Sequence, residues 1–227
     1  MKIVITGASR GIGFELTRQY LARGDEVVAA VRDPNRATAL AAVQGPLTVL
    51  PCDVSDAASV AAFAAAIDAP VDVLINNAGV SGEDEQPLDA LDYADIAHTF
   101  DVNAIGPLRV TAALLPHLQR GLHKKIVHIT SGMGSIADNR SGGAYGYRMS
   151  KAALNMACRS MAVDLAPRGL IAVVMNPGWV KTDMGGPSAP TPVEVSAARM
   201  IAVIDDLRPS DSGTFVDYRG RERAWPW

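Results

Sequence analysis

The chain has 227 residues, 48% hydrophobic and 20% charged, with a formal net charge of -3. That length fits one large domain with a well-buried core, and the charge balance excludes a general nucleic-acid binder. The two cysteines, Cys52 and Cys158, lie far apart and match no metal-ligand spacing, so they read as buried thiols of a reducing compartment.

Short apolar runs alternate with longer segments of helical period. KIVIT, Lys2 to Thr6, reads as a strand, and a helix follows to about Arg23. EVVAAV, Glu26 to Val31, is a second strand, after which Asp33-Pro34 reads as a helix N-cap with proline at the first helical position. LTVLP, Leu47 to Pro51, is a third strand, and Ser55 or Asp56 can cap the next helix. VDVLIN, Val71 to Asn76, is a fourth, before a long helical region over roughly Tyr93 to Leu118. KIVHIT, Lys125 to Thr130, is a fifth, followed by a helix from about Tyr145 to Leu165. LIAVVMN, Leu170 to Asn176, is a sixth; a helix near Pro192 to Leu207 and a last strand, GTFVDY, Gly213 to Tyr218, close the order. Strands this apolar, separated by helices, predict an α/β fold whose parallel sheet is buried on both faces. Right-handed crossovers make it a doubly wound sheet of about seven strands in one domain, residues 1–227, with ligands at the carboxyl ends of the strands.

The run after Met1-Lys2 is too short for a signal-peptide core, and the Ala-rich stretch Ala57 to Ile67 is too short to span a bilayer. The expectation is a cytoplasmic protein with neither a membrane nor a nucleic acid as partner.

The first turn, VITGASRGIGFEL, fits two chemistries. As G-x-S-x-G it would present Ser9 as a nucleophile. That reading needs a histidine late in the chain, but the four histidines are His98, His117, His123 and His128, and no HGGG-type oxyanion loop exists. As T-G-x-x-x-G-x-G it holds a pyrophosphate: Gly7 for the tight turn, Gly11 for close backbone approach, Gly13 for helix–strand packing, and Ser9 as a phosphate ligand. At the end of the second strand Arg32 offers a bidentate fork to a 2′-phosphate, with Arg10 approaching from the glycine turn. Asp33 is the residue an NAD site would use, but Pro34 behind it makes it a cap. NADP(H) is the expected cofactor, with NAD(H) the alternative.

Downstream, Tyr147 and Lys151 lie roughly 40° apart on a helix of ~3.6 residues per turn. A free tyrosine is a poor base at neutral pH, and a neighbouring ammonium favours its phenolate. Such a tyrosine can give a proton to a carbonyl oxygen as hydride arrives from a nicotinamide. Strand alternation separates Ser131 from its rival Thr130. Ser135 reads as loop structure, Ala152, Ala153, Met156 and Met161 as packing, and the histidines as surface or core residues with no metal.

Five motifs in this order (the glycine turn, CDV at Asp53, NNAG at Asn76 to Gly79, the serine of ITSGMGS, and YRMSK) resemble the short-chain dehydrogenase/reductase family over the full length. GGAYGYRMSKAALN and PGWVKTDMGGPSAP are similar to the sniffer-type carbonyl reductases and C-factor-like proteins. The resemblance implies a single Rossmann-fold enzyme that interconverts a ketone or aldehyde with an alcohol. It implies Tyr147 as acid/base, Lys151 lowering its pKa and binding the nicotinamide ribose, Ser131 holding the reacting oxygen, and Asn103 at a distortion of the long helix, holding a water for a proton relay. It implies cofactor contacts at Ile12 in the glycine turn, Asp53 and Val54 at the adenine, and Asn77, Ala78 and Gly79 on the adenosine side. Pro177, Gly178, Val180 and Thr182 would flank the nicotinamide. Of the NNAG asparagines, Asn77 reads as the contact and Asn76 as a turn residue.

The segment after Thr182 is short and rich in Pro and Gly where many relatives carry a helical lid, which implies an open pocket. Met133, Trp179 and Met184 are candidates for its apolar wall. The resemblance implies pairing through the two long helices as a homodimer or homotetramer, with some relatives monomeric, and AWPW, Ala224 to Trp227, could seal a core edge or a subunit contact. The alternatives are an NAD-linked alcohol dehydrogenase and a nucleotide-binding signalling protein with incidental catalysis.

Overall fold

Alternation of apolar residues along each strand decides which layer each strand face joins. The computed structural model describes residues 1–83, 86–220 and 227. Its strands are β1 (Lys2–Thr6), β2 (Glu26–Val31), β3 (Leu47–Pro51), β4 (Val73–Asn76), β5 (Lys125–Ile129), β6 (Ile171–Asn176) and β7 (Phe215–Asp217). They form one sheet in the order β3-β2-β1-β4-β5-β6-β7, with every pairing parallel. The helices are α1 (Gly11–Ala22), a short α2 (Thr38–Ala41), α3 (Ala57–Ala65), α4 (Tyr93–Phe100), α5 (Gly106–Arg120), α6 (Tyr145–Leu165) and α7 (Val193–Asp206).

Ile3, Ile5, Val73, Ile75, Val127 and Val173 face α1 and α7, where Leu16, Tyr20, Met200 and Ile204 cover them. Their neighbours in sequence, Val4, Leu74, Ile126, Ala172 and Val174, face the other way onto Phe63, Leu114, Leu118, Leu154 and Cys158 of α3, α5 and α6. Two cores, one per sheet face, explain the near-continuous apolar strands. Winding reverses between β1 and β4, so their carboxyl ends open the crevice at the switch point.

Several boundaries shorten relative to the sequence pattern. β4 begins at Val73 and β7 spans only Phe215–Asp217. The long helical region divides: α4 passes into a π-helical turn, Asp101–Ile105, before α5 continues. Asp33 accepts from Asn35 N–H at 3.0 Å and caps the 3-10 turn Pro34–Arg36, as its proline neighbour implied. Of the two candidate caps for α3, Asp56 is the one used. Cys52 and Cys158 are buried free thiols, and burial pushes both up to about 12. Met156 departs from expectation: it is 67% exposed on the outer face of α6, because its register turns it away from Leu154 and Cys158. Ala224 to Pro226 lie outside the described residues. Trp227 sets its ring 5.8 Å from that of Phe215, and its carbonyl accepts from Ala137 N–H. No helix among the described residues is long and apolar enough to cross a membrane.

Candidate active site

The glycine turn closes only because side chains are missing there. Gly7 has φ +66°, and a Cβ on it would lie 2.8 Å from Ala78 Cα; a Cβ on Gly13 would run into Gly7 O and Asn77 Nδ2. The turn therefore sits directly on the end of β4. Thr6 Oγ1 accepts from the N–H groups of Asn77 and Ala78, and Asn77 Nδ2 donates to the carbonyls of Thr6 and Gly7. The Asn77 amide thus anchors the turn. Asn76, its sequence neighbour, points instead into the core, where Nδ2 meets Thr111 Oγ1 and His128 Nδ1. Both asparagines act on backbone or core, a division that spacing alone does not reveal.

Helix α1 starts behind this turn with no side-chain cap and no acid in its first turn, whereas Asp56 and Asp92 cap α3 and α4. An uncapped N-terminus behind a cradle that a Cβ would fill fits a dinucleotide pyrophosphate. Ser9 is half-buried beside it, and Ile12 packs against the core. Arg32 is exposed at the end of β2. Its charge helps hold the Asp53 carboxyl below its ordinary range, after the larger effect of the Ser55 hydroxyl, which donates at 2.6 Å. Arg10 is exposed and pairs with Asp183 at 3.3 Å. Val54 is buried beside Asp53.

The far wall of the crevice follows β6. Thr182 faces the glycine turn closely: its Cγ2 lies 3.5 Å from where a Gly11 Cβ would be. Thr182 Oγ1 accepts from Gly185 N–H, and Lys181 N–H donates to Thr191 O, closing the segment into a pinned loop. Pro177 O accepts from Ser196 Oγ, Gly178 packs on the Tyr218 ring, and Val180 is buried. Trp179 and Met184 are 58% and 53% exposed, with the indole held by Gly185 O, and Met133 is the third exposed apolar residue of the proposed wall.

The reactive end is built on α6. Lys151 is buried, and its Nζ donates to Ile129 O at 2.9 Å and stands 5.7 Å from the centre of the Tyr147 ring. Burial lowers its pKa from 10.5 to about 8. Asn103 is fully buried in the π-helical turn: Oδ1 accepts from Val80 N–H, and Nδ2 donates to Val80 O and Ser150 Oγ. Ser150 Oγ in turn donates to Tyr147 O. A Cβ on Gly79 would lie 3.1 Å from Asn103 Oδ1 and 3.6 Å from Lys151 Nζ. Asn103, Gly79, Lys151 and Tyr147 are therefore one cluster. Ser131 Oγ accepts from Met133 N–H, while Thr130 turns inward and donates to Asn155 Oδ1. Ser135 is buried and accepts from Asp138 N–H, a loop role. His128 is buried against Asn76, and burial, then Lys151, brings it down to about 3. Among the described residues no group of three or more His, Cys, Asp or Glu is arranged to hold a metal.

Three supporting residues escaped the sequence reading. Asn155, four residues after Lys151, holds Thr130 and Gly134 O; its helical spacing was the available signal. Asn176 accepts from the N–H groups of Gly132 and Gly178, tying the loops after β5 and β6 together. Ser150 carried no signal beyond its position.

Residues 1–192 match the family model for short chain dehydrogenase. The C-signal protein of Myxococcus xanthus is 59% identical over 156 residues, covering 69% of this chain and 93% of that one. The NADPH-bound carbonyl reductase from chicken fatty liver superposes with a TM-score of 0.91 at 34% identity, over 100% of this chain and 98% of that one. Carbonyl reductase Sniffer of D. melanogaster gives 0.91 at 31% identity, over 100% and 99%. A seven-stranded parallel sheet, a glycine turn at its switch point and a full-length likeness to carbonyl reductases lead to one conclusion: the chain belongs to the short-chain dehydrogenase/reductase family and is an NAD(P)-dependent oxidoreductase.

Proposed function

We propose that this protein is an NADP(H)-dependent carbonyl reductase with Tyr147 as its acid/base. The observation that carries the proposal is the buried Lys151 ammonium beneath the Tyr147 ring, joined through Ser150 to Asn103. When bound, the nicotinamide supplies the hydride. Arg32, with Arg10 released from its exposed contact to Asp183, would hold the 2′-phosphate; Asp53 and Val54 would bound the adenine; Pro177 to Val180 and Thr182 would bound the nicotinamide. Ser131, whose Oγ accepts from Met133 N–H, keeps its hydrogen for the reacting oxygen. Tyr147 gives its phenolic proton to that oxygen, and the Lys151 charge favours the phenolate left behind. Both N–H groups of the Asn103 amide are used, so the relay water would meet its acceptor side. Met133, Trp179 and Met184 would form an open apolar wall for the substrate. Pairing as a homodimer or homotetramer would use the outer faces of α5 and α6, where Leu108, Met156 and Val163 are exposed.

Titration with NADPH and separately NADH, followed by tryptophan fluorescence, tests the cofactor reading. Arg32→Ala is expected to weaken NADPH about tenfold and leave NADH unchanged. Tyr147→Phe is expected to keep NADPH binding and lose roughly 100-fold or more in ketone reduction. Tight NADH with weak NADPH would instead support an NAD-linked alcohol dehydrogenase. The identity to C-signal favours a second reading, a nucleotide-binding signalling protein with incidental catalysis. Tight NADPH binding with no turnover across aliphatic, aromatic and quinone carbonyls would support it.

A further inference from the structure

Arg109 lies on α5, outside every motif named above. Its Nη2 donates to Asp101 Oδ1 at 2.7 Å, and its Nη1 donates to Val54 O at 3.3 Å. Asp101 opens the π-helical turn that holds Asn103, and Val54 belongs to the segment expected at the adenine. One planar fork thus grips both ends of the candidate site.

The spacing explains why the pair exists. Residues eight apart on a regular helix stand about 80° round from one another, off the same face. One residue inserted by a wide turn makes eight residues span about two turns and brings the ends to within roughly 20°. The Asp101–Arg109 ion pair is therefore favoured by the wide turn and favours it in return. Both side chains are only partly exposed, at 27% and 30%, so the pair is less screened than a surface one. The packing below is equally specific: a Cβ on Gly106 would lie 3.0 Å from Val54 Cγ2, so α5 rests directly on Val54. On its other side the segment is tied by Asp53 N–H donating to Ser59 Oγ. The segment is thus fastened to α3 at Asp53 by Ser59 and to α5 at Val54 by Arg109.

We propose that Arg109 is a positioning residue that makes the adenine segment and the Asn103 turn one mechanical unit, coupling dinucleotide affinity to the geometry of the acid/base cluster. The proposal rests on the oxidoreductase reading of that cluster. Lysine cannot replace it fully, because a single ammonium lacks the fork that reaches Asp101 and the Val54 carbonyl together.

The test compares wild type with Arg109→Met, Arg109→Lys and Asp101→Asn. Amide hydrogen exchange is read over residues 52–56 and 100–106, alongside NADPH affinity and kcat with a simple aromatic ketone. Arg109→Met is expected to speed exchange in both segments, to weaken NADPH roughly tenfold and to lower kcat. Asp101→Asn, which weakens the ion pair and leaves the Val54 contact in place, is expected to speed exchange most in 100–106 and to a smaller extent in 52–56, to lower kcat and to weaken NADPH about threefold. Arg109→Lys is expected to recover part of kcat and little of the affinity. Unchanged exchange in both segments of Arg109→Met, or a uniform rise across the whole chain, overturns the proposal. If Arg109→Met does not fold, unchanged exchange at 100–106 in Asp101→Asn overturns it. If wild type binds neither NADPH nor NADH, the oxidoreductase reading fails on its own, and the exchange data still decide whether Arg109 joins the two segments.

Discussion

Replacing Lys151 with methionine should stabilise the free protein while abolishing its proposed activity. The lysine is 4% exposed and has no carboxylate partner among the salt bridges of the described residues; its Nζ donates to Ile129 O. Burial brings its pKa from 10.5 to about 8. That displacement corresponds to roughly 3 kcal/mol spent on holding the charge in the folded state. Methionine fills a similar volume without charge, and losing the bond to Ile129 O gives back about 1 kcal/mol. The net expectation at pH 7 is a gain of about 2 kcal/mol, measured by urea unfolding of both proteins without cofactor. The pH dependence is a second readout. Because folding lowers the lysine pKa, the unfolded chain holds the proton more tightly, and wild-type stability rises as pH climbs from about 8 towards 10.5. In Lys151→Met that rise should be missing, so the two curves approach and cross between about pH 8 and 10.5, leaving wild type about 1 kcal/mol the more stable at high pH. A variant less stable than wild type at pH 7, or a difference that stays constant from pH 7 to 10, would refute the reasoning. Such a cost at a reactive position is the usual trade of stability for activity.

Two further outcomes test the scaffold. Gly13→Ala forces a Cβ against Gly7 O and Asn77 Nδ2 and should cost about 3 kcal/mol, read as a large fall in Tm, because the Gly7 backbone and the Asn77 amide that anchors it would both have to give way. Lys125→Met removes the Nζ that donates at 2.8 Å to the carbonyls of Ile204 and Asp205 at the end of α7; leaving those carbonyls without a donor should cost about 2 kcal/mol in urea unfolding, with NADPH affinity unchanged.

Much of the architecture was legible because its causes are local. Asp33 could be read as a cap from Pro34 behind it, and the structure uses it so. Tyr147 and Lys151 share a face because four residues on any helix do. What the sequence left open has non-local causes. Asn76 and Asn77 are adjacent and chemically identical, and only the pairing of β4 with β1 and β5 turns one to His128 and the other to Gly7. Met156 carries the spacing of a packing residue, but the helix meets its neighbours along another stripe. The Arg109–Asp101 pair was hidden because eight residues mean nothing on a helix until the wide turn between them is known.

By itself the sequence determined the alternation of strands and helices, the parallel sheet and the glycine turn, since apolar period, caps and glycines act within a few residues of themselves. Tertiary structure decided the rest. It buried Lys151 with no ion-pair partner among the described residues, tied the amide of Asn103 to Val80 and Ser150, turned Arg10 towards Asp183, and let one guanidinium join Asp101 to Val54. Charge state, hydrogen-bond partner and reach depend on what the rest of the chain brings alongside, and residues far apart in sequence become neighbours only when the sheet is wound.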